Sequence, residues 1–236
     1  MDSTCVITID GPAGAGTSTL ARALAASLGW SFLDTGALYR ALALAVSERG
    51  LEGASPGELA ALALRLEISV SLGPDVSRVA LGGRDVTALL RSPEISSLAS
   101  ALAAVPEARE SLRAIQRRLG ERGRLVAEGR DQGTAIFPEA RLKFFLTASP
   151  EARAARRAKE LRERGVDSPF GTVLAEMLAR DRNDMTRKAD PLREALDAVR
   201  VDSTSLTLEE ALALMTARAR EVFGVMVAGA AQGAGP

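Results

Sequence analysis

Val6-Ile7-Thr8-Ile9-Asp10-Gly11-Pro12-Ala13-Gly14-Ala15-Gly16-Thr17-Ser18-Thr19 opens as a β-branched run, breaks into a glycine loop and leads into an apolar-periodic stretch from Ser18 to Leu28. The reading is strand, loop, helix. Successive backbone amides at Gly14, Gly16, Thr17 and Ser18 can converge on a phosphate at the positive end of that helix, and small residues permit the close approach. The spacing Gly11-x-x-x-x-Gly16-Thr17-Ser18 fits the phosphate-loop pattern except at the lysine, where Thr17 stands. Gly11 to Thr19 is therefore the expected triphosphate-binding segment, with the Ser18 hydroxyl where such loops meet Mg²⁺. In a chain with 21 glycines the spacing alone means little, and it is the flanking strand and helix that carry the reading.

Losing a point charge beside a transferring phosphate in a dry site costs about 2 to 4 kcal/mol of transition-state stabilisation unless another cation replaces it. Arg153, Arg156, Arg157, Arg162 and Arg164 fall on one predicted helix, Pro150 to Arg164, and the loop after it. Either they close over the phosphates, or they form a solvated basic face beside Glu151, Glu160 and Glu163. Lysine itself is scarce, standing only at positions 143, 159 and 188.

Working outward, Gly29 ends the first helix, Trp30 to Leu33 reads as a second strand, and Gly36 to Arg49 is helical through Leu38, Leu42 and Val46. Leu125 to Ala127, Leu142 to Leu146 and Val199 to Val201 are further strands, and alternation with helices implies a parallel sheet. Between Glu67 and Thr87 the pattern alternates around Gly73-Pro74 and Gly82-Gly83, which predicts short antiparallel strands inserted into that α/β core. Helical patterns resume from Pro93 to Leu119, Thr172 to Arg182 and Thr207 to Phe223, and Gly229 to Pro236 is expected to be disordered. The polar loop from Glu128 to Thr134 follows a strand end, where α/β folds place ligands.

Composition narrows the chemistry. The 236 residues suit one core with a small insertion, and a net charge of zero argues against coating nucleic acid or anionic lipid. Absence of histidine removes Ser-His-Asp and Cys-His catalysis together with histidine-ligated zinc. The single cysteine, Cys5, allows no intrachain disulfide and is expected to be a buried thiol, in keeping with a reducing cytoplasm. No stretch approaches the roughly 20 apolar residues of a membrane span, so a cytosolic protein is expected.

Four ordered phrases, Ile7-Thr8-Ile9-Asp10-Gly11-Pro12, Leu33-Asp34-Thr35-Gly36-Ala37-Leu38-Tyr39-Arg40, Glu128-Gly129-Arg130-Asp131-Gln132-Gly133-Thr134 and Val201-Asp202-Ser203-Thr204, resemble bacterial cytidylate kinases across residues 4 to 223. The resemblance implies a phosphate-loop kinase core of parallel sheet and flanking helices, about 4–64 and 98–223, with an antiparallel monophosphate-binding lobe at about 65–97 and a helical lid at about 150–170. It implies transfer of the γ-phosphoryl group of Mg·ATP to CMP or dCMP by a monomer.

By the same resemblance Thr35, Tyr39 and Arg40 lie along the acceptor nucleotide, with Arg40 reaching its phosphate. Arg130 suits phosphate and Asp131 the cytosine amine, while Ser100 and Arg109 match positions that help read the base. Arg180, Asp184 and Arg187 would contact ribose and acceptor phosphate, and Arg40, Arg130, Arg157 and Arg187 form the catalytic set. Asp34 either holds a metal-bound water or orients the acceptor. Plainer readings stand beside these: Tyr39 and Arg40 as a helix end, Gly129 and Gly133 as turn formers, and Ser100 as a packing residue.

Overall fold

β1 (Val6–Asp10) is buried at every position, because a parallel neighbour pairs along each edge and helices cover both faces. Such strands need no polar alternation, which is why the run reads as almost continuously apolar. The computed structural model describes residues 5–74, 77–163 and 165–224. After β1 come α1 (Thr17–Leu28), β2 (Ser31–Asp34), α2 (Thr35–Ser47) and α3 (Pro56–Arg65). A small antiparallel sheet follows, of β3 (Ile68–Ser71), β4 (Arg78–Leu81) and β5 (Arg84–Asp85). Next are α4 (Pro93–Leu102), α5 (Pro106–Gly120), β6 (Leu125–Gly129) and β7 (Leu142–Thr147), then α6 (Pro150–Glu163), α7 (Phe170–Thr186), β8 (Val199–Asp202) and α8 (Leu208–Phe223).

The large sheet is parallel throughout, in the order β2-β6-β1-β7-β8. The expected α/β class is therefore met, with a second, antiparallel sheet beside the first. This order sets the carboxyl ends of β2, β6 and β1 side by side, so the loops that leave them share one edge. Ile7, Ile9, Val126, Phe144 and Leu146 pack with Leu20 and Leu24 of α1 and Met215 of α8 on one side. On the other, Leu38 and Leu42 of α2 meet Val79, Val86, Leu90 and Leu112, so the small sheet closes against α2, α4 and α5.

Local chemistry explains where the observed elements depart from expectation. The helical pattern from Pro93 to Leu119 is two helices, because Pro106 donates no amide and holds Val105 extended, at φ −87 and ψ 113. α3 was not expected, yet a capping box marks it: Ser55 accepts from the Glu58 amide while Glu58 accepts from the Ser55 amide. Cys5 is half-buried rather than fully buried, at the sheet's margin. The expected disorder at 229–236 lies outside the described residues. No described helix is long and apolar enough to cross a membrane.

Candidate active site

The glycine loop leaves β1 and enters α1 through Gly16, whose φ of 96 only glycine adopts at little cost. Gly14, at φ 76, is also fixed by space, since a Cβ there would stand 2.6 Å from Met177 Cε of α7. The loop's carbonyls are tied from behind. Arg153 Nη1 donates to Ala13 O at 2.9 Å and Ser203 Oγ donates to Ala15 O at 3.0 Å. With carbonyls held outward, the amides stay free for an anion at the amino end of α1. Ala13, Gly14, Thr17 and Ser18 line the resulting cleft, whereas Gly11, Pro12 and Ala15 are buried beneath it and Thr19 is exposed on α1.

This bracing corrects the expectation for the lid arginines. Arg153, 4% exposed, is fully engaged: it pairs with Asp181 at 2.7 Å and donates to Ala148 O. Arg156 is likewise committed to Ser203, which explains the Val201-Asp202-Ser203-Thr204 phrase as a clasp between β8 and the glycine loop. Arg162 is exposed and Arg164 lies outside the described residues. Arg157 remains, half-exposed and donating to Glu160 at 3.1 Å, outside the cleft lining. Thr17 is buried at the start of α1, and no lysine among the described residues lines the cleft. Lys143 is spent on Asp197 at 2.8 Å and on Pro138 O.

Between the glycine loop and β2 sits an acidic pair. Glu128, at the end of β6, is buried and accepts from Ser18 Oγ at 2.7 Å. Burial first, and then the charge of Asp34, push its carboxyl up to about 7, against the opposing pull of Arg130 and the Ser18 hydrogen bond. Asp34 caps α2, accepting from the Ala37 amide at 3.0 Å, and pairs with Arg40 Nη2 at 2.7 Å. Two neighbouring carboxylates beside a hydroxyl are hard oxygen donors that suit Mg²⁺ when phosphate oxygens complete the shell. No cluster of three or more acidic, cysteine or histidine ligands occurs among the described residues, so the protein offers a partial seat rather than a cage.

The rest of the cleft is charged side chains in pairs. Arg130 Nε donates to Asp184 at 3.0 Å. Arg109, 2% exposed, donates from Nη2 to Asp131 and from Nη1 to Ala103 O at 3.1 Å, and it stacks 5.7 Å over the Tyr39 ring. Burial drives the Asp131 carboxyl upward, opposed by Arg109 and Arg187. Burial also pushes the Tyr39 hydroxyl up to about 12, so it stays neutral. Arg180 is different: among the described residues it makes no ion pair. Loss of solvent around its guanidinium, then the charges of Arg130, Arg40 and Arg157, hold it below the usual arginine value, although the residue keeps exposed surface.

Of the residues singled out from the sequence, Thr35, Tyr39, Arg40, Ser100, Arg109, Arg130, Asp131, Arg180, Asp184 and Arg187 line one cleft with the glycine loop. Thr35 does so as a strut, donating to Glu128 O at 2.8 Å, and a Cβ on Gly129 would press within 2.7 Å of its hydroxyl. Ser100 reaches the cleft half-buried from α4. Sequence reasoning missed Glu128 and Asp10. Asp10 is buried and accepts from the amides of Gln132 at 2.8 Å and Gly133 at 2.7 Å, which shapes the turn after Arg130 and Asp131. That turn is a single π-type turn, Gln132–Ile136, a form frequent at functional sites. The signal for both acids was available: each is the lone carboxylate ending an apolar strand.

A family model described as cytidylate kinase matches residues 7–221. The cytidylate kinase of Aeromonas salmonicida (strain A449) is 44% identical over 219 residues, covering 93% of this chain and 95% of its own. That of Carboxydothermus hydrogenoformans is 44% identical over 207 residues, or 88% and 93% of the two chains. That of Methylococcus capsulatus (strain Bath) is 46% identical over 211 residues, or 89% and 95%.

Proposed function

The chain belongs to the cytidylate kinase family, and on that premise we propose that its cleft transfers the γ-phosphoryl group of ATP to the phosphate of CMP or dCMP, giving ADP and the diphosphate. One observation carries this reading further than the family name. Among the described residues Arg180 makes no ion pair, and the repulsion of Arg130, Arg40 and Arg157 acts on it against the pull of Asp184, an arrangement that an entering anion relieves. The phosphoryl groups of two nucleotides brought end to end supply that anion.

The acceptor phosphate is already a nucleophile, so no general base is required and catalysis is alignment with charge neutralisation. Glycine-loop amides hold the donor phosphates at one end of the cleft. Arg40, steered by Asp34, and Arg130, steered by Asp184, meet the acceptor phosphate with planar, bidentate donors. Asp131 accepts from the exocyclic amine of cytosine, which a uracil ring lacks. Ser18, with Glu128 and Asp34 beside it, would hold a Mg²⁺ ion arriving with ATP, and the ion would supply neutralisation of the phosphates' negative charge. In place of the missing lysine, Arg157 and Arg180 deliver positive charge as α6 and α7 close. Residues 150–170 then act as the lid and 65–97 as the acceptor lobe. In this reading the working unit is a monomer acting in the cytoplasm.

The direct test is ADP formation with ATP and Mg²⁺ in the presence of CMP, dCMP, UMP or AMP. Turnover with CMP or dCMP well above the other two is expected, and no nucleotide-dependent ADP at all would remove the proposal. Thr17→Lys tests the compensation separately. If the arginines suffice, kcat shifts by less than about threefold, whereas rescue from near-zero turnover, in the range of the 2 to 4 kcal/mol such a charge is worth, means they do not.

A further inference from the structure

Asp190 follows α7 in a left-handed backbone conformation, φ 44, which for a residue with a side chain carries strain. Its carboxylate accepts from Arg109 Nε at 3.1 Å and from Arg113 Nη2 by the same oxygen, Oδ2. Its backbone carbonyl accepts from Arg187 Nε at 2.9 Å. One strained residue thus holds three guanidiniums, two of which border the base-reading carboxylate Asp131. Arg109 satisfies one oxygen of Asp131, while the other, Oδ1, has among the described residues only Arg187, at 3.9 Å.

We infer that Asp190 is a positioning residue for acceptor selectivity: by anchoring Arg109 through its carboxylate it keeps one oxygen of Asp131 open to the cytosine amine. The inference rests on the cytidylate kinase reading above. The physical reason is a charge balance. Arg109, Arg113 and Arg187 bring three positive charges to this corner, set against Asp131 and Asp190. Their attraction holds the Asp190 carboxyl below the usual range in spite of partial burial, so it stays ionised through the neutral range. Remove that charge and Arg109 is left with Asp131 as its carboxylate partner, while Arg113 keeps Glu110 at 3.4 Å and Arg187 keeps the Asp190 carbonyl and Asp184. The Arg109 guanidinium then turns across both oxygens of Asp131 and occupies the acceptor that distinguishes an amine from a carbonyl on the incoming base.

The test compares kcat and KM for CMP and UMP in the native protein, Asp190→Asn and Asp190→Gly, with thermal melting of each. Asparagine tolerates the left-handed backbone and removes only the charge, and glycine relieves the strain as well. For both variants the CMP-over-UMP ratio of kcat/KM should fall about tenfold, the size of one charge-assisted hydrogen bond, through a raised KM for CMP. The KM for ATP should stay within about twofold, since the donor end is untouched. A variant that melts earlier yet keeps the native ratio would overturn the inference and leave Asp190 a structural tie. Should Asp190→Asn fail to fold, Asp190→Gly decides alone. If the native protein itself shows no preference for CMP, the cytidylate reading falls and this inference with it, an outcome distinct from a native preference that survives the substitutions.

Discussion

The two ends of the cleft are built from different materials. At the proposed donor end the groups offered to phosphate are backbone amides, and two side chains, Arg153 and Ser203, work from behind by tying down the carbonyls of Ala13 and Ala15. At the proposed acceptor end the groups are side chains, arranged as neutralised pairs such as Arg40 with Asp34 and Arg130 with Asp184. A backbone cradle tolerates many side chains but no change of chain geometry. A set of ion pairs tolerates small shifts of chain but not the loss of one partner, which leaves the other buried and uncompensated.

Substitutions at the two ends should therefore fail in different ways. The largest effect is expected for Arg130→Met, which leaves Asp184 with Arg187 at 3.9 Å in place of its 3.0 Å partner and removes a donor to the transferring group. kcat/KM for CMP should fall by about a thousandfold, with ATP binding by titration little changed. A loss of less than tenfold would place Arg130 outside the reacting groups. Gly14→Ala should be milder and strike the other substrate. The new Cβ meets Met177, and the strain of φ 76 adds roughly 1 to 2 kcal/mol, so KM for ATP should rise several-fold to about thirtyfold while KM for CMP holds. If both rise together, the two ends are not separable.

The smallest effect concerns the brace beneath both ends. Burial pushes Asp10 up to about 7, from an ordinary 3.8, despite two backbone hydrogen bonds that pull it down. Because the folded pKa exceeds the unfolded one, the contribution of Asp10 to stability is fully present below about 3.8 and is lost as pH rises through about 7. Asp10→Asn removes that dependence, at the cost of one acceptor. Urea unfolding at pH 5.5 and pH 8 should show the native protein losing more stability over this interval than the variant. Equal slopes would mean that Asp10 is ionised throughout.

Legibility follows the same division. The glycine loop could be read because backbone geometry leaves local marks: small residues at fixed spacing, a strand before and a helix after. The parallel sheet was likewise legible in short apolar runs, whose ends the structure extends by only one or two residues. α3 escaped because its apolar face is short, although Ser55-Pro56-Gly57-Glu58 announced its start. The acceptor residues could be singled out through their resemblance to a family, since nothing local to Arg180 or Asp184 distinguishes them from a charged helix end. Glu128 went unnoticed because its significance is a neighbour relation, to Ser18 across 110 positions of chain.

The sequence by itself determined the class of fold, the place of the glycine loop between β1 and α1 and the kind of chemistry that remained once histidine was absent, because these depend on local conformation and on which functional groups exist at all. Only the tertiary structure decided how the arginines divide their labour. Arg153 and Arg156 stand on the same helix as Arg157 and look alike in sequence, but the first two are consumed in bracing the loop. Whether a guanidinium is spent or available depends on the carboxylates and carbonyls within about 3 Å of it, and those come from strands and helices far apart in the chain.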